Sequence, residues 1–144
     1  MKPSFKNIFL YIFIKFFLFY VFLMFKNHDY TLIRVDELKS VADWQYYLWL
    51  FLSLPILSSI LFSAANYYSL KVSSLWMLIL LVGVTFIIEY FLYTYLASPS
   101  DLMNGIYLET IGILLFLLFF YRAIRKPINK LLEKDNHDRA DEMN

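Results

Sequence analysis

From Ile8 to Phe25 the chain carries a single charged side chain, Lys15. Tyr46 to Ala65 carries none, Leu75 to Ala97 carries only Glu89, and Met103 to Tyr121 carries only Glu109. The hydrocarbon core of a bilayer is about 30 Å thick, so a spanning helix needs roughly 17–25 mostly apolar residues. Each of the four stretches meets that length. A water-soluble chain of 144 residues has too much surface for its volume to hide all four. Composition points the same way: 60% of the residues are hydrophobic and 17% charged, against roughly 45–50% and about 25% in soluble domains.

Barrel strands would alternate apolar and polar residues over about ten positions. Runs such as ILLFLLFFY and LWMLILLVGV do not alternate, so the spans are helices. The expected fold is an all-α integral membrane four-helix bundle. Its transmembrane domain covers residues 1–121, with spans at 8–25, 46–65, 75–97 and 103–121, and a basic-then-acidic cytoplasmic tail covers 122–144. Lys2 and Lys6 give the first segment the look of a signal peptide. Its apolar part is too long for one, includes Lys15 and lacks small residues at a cleavage site, so it is read as a retained span.

Lysines and arginines near span ends set orientation. Lys2, Lys6, Lys71, Arg122, Arg125, Lys126, Lys130, Lys134 and Arg139 fall on one side, and Lys26, Arg34 and Lys39 on the other. The first set belongs inside, which puts both termini in the cytoplasm. Arg122, Arg125, Lys126 and Lys130 follow the fourth span directly and suit anionic lipid headgroups. Pro127 separates the span from one amphipathic turn bearing Ile128, Leu131 and Leu132, and the last ten residues read as disordered. In the first outer loop, DELKSVADW places Leu38, Val41 and Ala42 on one helical face with Asp36 as N-cap. That favours a short interfacial helix, followed by the interfacial rings Trp44, Tyr46, Tyr47 and Trp49.

Ionisable groups inside spans are costly and tend to face the bundle interior. Lys15 lies near mid-depth, and Glu89 and Glu109 lie at similar depth towards the outer side. Thr85, Glu89 and Tyr93 share a helix face at i, i+4 spacing, so both hydroxyls are candidate partners of the carboxylate. Gly105, Glu109 and Gly112 share a face of the fourth span, where small residues allow close helix approach. Lys15 is a candidate partner for Glu89 across an offset of about two turns. Pro55 removes a backbone hydrogen bond from the second span and suits a kink there. Ser59 and Ser63 form a small-xxx-small packing pair.

No metal-spaced His/Glu motif, phosphate loop or nucleophile elbow is present, and the chain has no cysteine. No cofactor or metal is expected, and a net charge of +1 offers no field for nucleic acid. Glu89, Asp101, Asn104 and Gly112 occur in an order that resembles the pattern of VanZ-like membrane proteins, although the Gln and Arg of that pattern are missing here. The expected function is therefore non-enzymatic: an accessory or interaction subunit of a bacterial membrane system of the export, defence or immunity type. Its partners would be the bilayer and another membrane protein or a second copy. The alternative is a small oligomeric transporter or channel built on the intramembrane carboxylates.

Overall fold

The computed structural model describes residues 2–27, 40–96 and 102–142. Among them all regular structure is helical: α1 Phe5–Asn27, α2 Val41–Ser69, α3 Leu75–Leu96 and α4 Leu102–Glu142. Each contains a segment long and apolar enough to cross a membrane: Phe5–Lys26, Phe51–Ser69, Leu75–Tyr95 and Leu102–Leu132.

Local chemistry sets the helix starts. Ser4 Oγ accepts the Asn7 N–H at 3.2 Å, satisfying one of the free amides that open α1. Ser40 caps α2 from an extended backbone. Its hydroxyl accepts the Asp43 N–H at 3.2 Å, and the Asp43 carboxylate accepts the Ser40 N–H at 2.8 Å. This reciprocal box corrects the expectation of a separate interfacial helix. Asp36 and Leu38 lie outside the described residues, but Val41 and Ala42 belong to the first turn of α2 itself. Nothing interrupts the helix between that turn and the span. Trp44 and Trp49 are exposed on it, as interfacial rings would be.

Helix ends bring further corrections. α2 extends past the expected end at Ala65 to Ser69, with Pro55 inside it. α4 runs on through Pro127 to Glu142, and its only non-helical backbone is at Phe120, with φ −107° and ψ 16°. The break thus comes at the end of the apolar stretch and not at the proline. Pro127 deletes one backbone donor. No glycine or second proline follows it, so no strong helix breaker stands between Pro127 and Glu142. The polarity of the last residues was a poor guide, because polarity alone does not stop a helix.

Side-chain contacts show α1 running antiparallel to both α2 and α4. Phe5 at the start of α1 stacks on Tyr67 at the end of α2, with ring centroids 4.4 Å apart. Tyr20, late in α1, meets Phe51, early in α2, at 5.3 Å. α1 and α4 meet through Tyr11 and Phe120 at 5.9 Å and through Phe22 and Tyr107 at 5.0 Å. Each helix packs against two others, in the cyclic order α1, α2, α3, α4.

The distribution of side chains is inverted relative to a water-soluble protein. Phe17, Trp76, Phe91 and Leu118 point outward, whereas Lys15, Ser58, Ser59, Ser63, Asn66, Thr85, Glu89 and Glu109 are buried. Water would drive the first set in. A lipid solvent leaves the first set where it is and forces the second inward, because hydrocarbon offers polar groups no hydrogen bonds.

Candidate functional site: a buried lysine shared by two glutamates

The inward face of α1 is written as Ile8, Tyr11, Ile12, Lys15, Phe16 and Phe19, all buried and spaced by three and four. That periodicity carries Lys15 to the bundle centre, where it is 0% exposed. Its Nζ lies 2.8 Å from Glu89 Oε2 on α3 and 3.3 Å from Glu109 Oε2 on α4. The expected offset of about two turns between Lys15 and Glu89 is corrected by this contact, because a lysine stem is too short to cover two turns. Phe86 and Phe16 flank the ammonium, with ring centroids 5.1 and 5.7 Å away, where a cation is attracted to the ring faces.

The two carboxylates differ in what else they hold. Glu89 Oε1 accepts a hydrogen bond from Ser58 Oγ of α2 at 2.6 Å. Glu89 therefore ties α1, α2 and α3 together. Glu109 Oε1 is buried and has no hydrogen-bond partner among the described residues. One ammonium facing two carboxylates leaves the group one formal negative charge in excess if all three are ionised.

The glycines act as the spacing implied. A Cβ on Gly112 would stand 2.8 Å from the Phe86 ring and 3.0 Å from Lys15 Cε. A side chain there would push the Phe86 ring and the Lys15 stem aside, so the glycine lets Lys15 lie close across α4 on its way to Glu109. The Gly112 carbonyl accepts the Tyr11 hydroxyl at 3.1 Å. A Cβ on Gly105 would stand 2.7 Å from the Tyr90 ring and 2.8 Å from Thr94, so Gly105 sets the close contact of α4 with α3.

The predicted hydroxyl partners change. Thr85 donates to the Leu81 carbonyl at 2.8 Å, satisfying itself on its own helix. Tyr93 is buried with its ring edge-on to Phe19 at 5.4 Å. Ser58, from another helix, makes the bond to Glu89. Ser58 and Tyr11 are the residues that sequence reasoning missed. A signal existed for each. Tyr11 precedes Lys15 by one helical turn, and Ser58 adjoins a buried stripe of Ser59, Ser63, Asn66 and Ser69 with helical spacing.

Among the remaining predicted positions, Ser59 and Ser63 are buried as packing residues would be. Arg122, Arg125, Lys126 and Lys130 are exposed and take no part in the buried group. Lys126 and Lys130 line a recess of about 340 Å³ with Pro3 and Lys71, so the chain start, the α2–α3 turn and the tail meet at one end. Asp101 lies outside the described residues. Asn104 accepts a hydrogen bond from Lys26 Nζ at 3.2 Å.

Between α3 and α4 the outer surface opens into an apolar groove of about 660 Å³, with Glu109 among its lining residues. No protein-family model matches this chain, and comparison with curated proteins and with solved structures finds no match.

Proposed function

We propose that this chain is a non-catalytic accessory subunit of a bacterial cytoplasmic membrane system, binding another membrane protein through its spans. One observation carries the reading. The three ionisable groups within the spans are used on one another in the interior, where Lys15 joins Glu89 and Glu109. Such a group fixes helix register. Both termini are assigned to the cytoplasm. The recess that gathers Pro3, Lys71, Lys126 and Lys130 at one end supports this, because basic residues accumulate on the inner side.

Two experiments test the proposal. Affinity purification from native membranes is expected to recover a stoichiometric membrane partner, and recovery of the chain alone would count against it. Single cysteines at Asp36, Ser73 and Ser100 test the orientation in this cysteine-free chain. Asp36→Cys and Ser100→Cys are expected to react with an impermeant reagent applied outside, and Ser73→Cys to be protected. The opposite pattern overturns the orientation.

The formal charge excess that the buried group would carry with all three side chains ionised favours a second reading, an oligomeric transporter or channel in which a proton or cation neutralises it. Flux into liposomes decides between the two. Flux in the parent that is lost in Glu89→Gln and Glu109→Gln supports transport, and absence of flux in the parent removes it.

A further inference from the structure

α2 ends at Ser69 and α3 begins at Leu75, so residues 70–74 turn the chain back between two spans. α4 passes this turn, and the two together enclose the recess of about 340 Å³. Lys71 and Ser73 reach it from the turn, and Lys126 and Lys130 from α4. The span of α2 ends at Ser69, two residues before Lys71. Along α4 the lining runs from Ala123 to Lys130, a rise of about 10 Å. A bilayer is about 40–45 Å across with its headgroups and about 30 Å without them, so each headgroup layer is roughly 5–8 Å deep. The recess therefore sits at headgroup depth.

Its lining holds three lysines and no acidic residue. Among the described residues none of the three is in an ion pair, since both salt bridges belong to Lys15. Lys71 is held in place by its surroundings. Its Nζ lies 4.2 Å from the centroid of the Tyr67 ring, and that ring stacks on Phe5 at 4.4 Å. A ring face engages one side of an ammonium and leaves its other hydrogens to an anion. Two segments far apart in sequence thus bring like charges to one place. Their repulsion raises the electrostatic free energy, and a shared anion lowers it.

The donors present are ammonium groups and a serine hydroxyl, which suit the oxygens of a phosphate. Leu70 and Val72 line the same recess, and Leu131 lines the hollow beside it that shares Ser73 and Lys130. These give the site an apolar side where the first carbons of acyl chains can rest. A free phosphate ion has no use for that side. A zwitterionic headgroup brings its own cation, which three lysines repel. An anionic phospholipid meets both the charge and the apolar wall.

We propose that this recess binds the phosphate of one anionic phospholipid, with Lys71, Lys126 and Lys130 as its ligands. The site is distinct from the general attraction of a basic belt to anionic lipid. It draws Lys71 from the turn, uses two of the four basic residues that follow the fourth span, and omits Arg122 and Arg125. It needs only the spans in a bilayer, and so is independent of both functional readings above.

The test uses the full chain in uncharged maltoside micelles, with bound lipid counted by native mass spectrometry. Phosphatidylglycerol is expected to bind as a single copy, about tenfold more tightly than phosphatidylcholine. Lys126→Gln combined with Lys130→Gln should abolish that preference, and Lys71→Gln should weaken it about fivefold. Lys126→Arg combined with Lys130→Arg should keep it. Arg122→Gln combined with Arg125→Gln removes the same charge from the same end and should change it by about twofold or less. All five side chains are exposed, so these substitutions leave the helix packing alone. Equal binding of the two lipids overturns the site. So does an equal loss in the lysine and arginine pairs, which would reduce it to a diffuse basic belt. Displacement of the lipid by equimolar inorganic phosphate would make the ligand a soluble anion and overturn the lipid assignment, whereas retention of the lipid supports it.

Discussion

Glu89 and Glu109 share one ammonium, at 2.8 and 3.3 Å, but the regions around them are built differently. Glu89 is closed in: Ser58 reaches it from α2 at 2.6 Å, so its charge is met by a cation and a hydroxyl from two other helices. Glu109 borders the lipid-facing furrow and keeps an oxygen without a partner among the described residues. The same residue type thus serves as a fully bonded tie on one side and, on the other, as a buried acceptor with one oxygen unmet among the described residues. In hydrocarbon an unmet polar atom costs free energy, so the second arrangement is the less fully satisfied of the two.

Removing the shared cation gives the largest expected effect on this contrast. Lys15→Met leaves two carboxylates without a counter-charge and should cost about 3–5 kcal/mol, read by denaturant unfolding in mild micelles. A loss below about 1 kcal/mol would mean that the ionic contacts do not hold α1 in place. The next experiment separates the two glutamates. Glu89→Gln should cost about 2 kcal/mol, since it removes the shorter ion pair and weakens the Ser58 bond, whereas Glu109→Gln should cost about 1 kcal/mol or less. Equal losses would erase the distinction drawn here.

Smaller effects sharpen the same comparison. Ser58→Ala removes a donor to a charged acceptor and should cost about 1.5 kcal/mol, read by the same unfolding measurement. The glycines differ for a reason visible in their surroundings. Gly112→Ala drives a methyl group against Phe86 and Lys15 and should cost about 1 kcal/mol or more. Gly83→Leu enters open space and should change monomer stability by no more than about 0.5 kcal/mol. A large loss at Gly83 would show that the furrow is closed in the membrane.

Much of the site was legible because intramembrane charges are rare. Lys15, Glu89 and Glu109 stand out from their apolar runs, and the short connection between the third and fourth spans set the two glutamates at similar depth. The close contacts at Gly105 and Gly112 followed from their helical spacing with Glu109. Ser58 and Tyr11 were not legible as partners, because a hydrogen bond between helices depends on how each is rotated about its axis. Spacing within one helix does not state that rotation relative to another. Thr85 shows the converse, since it lies one turn from Glu89 and instead bonds its own backbone. The tail is a separate case: it is helical as far as Glu142, although Asp135, Asn136, His137 and Asp138 are weak helix formers.

The sequence by itself determined the four apolar helices and the three charges that have to turn inward, because hydrocarbon length and desolvation act on each segment alone. Tertiary structure decided which groups meet. The lateral packing of four helices chose Ser58 over Thr85 for Glu89, laid Lys15 across Gly112, and left Glu109 beside a furrow that the chain does not fill. Those outcomes depend on relative rotation and rise among helices, which are set by the shapes of all the side chains together.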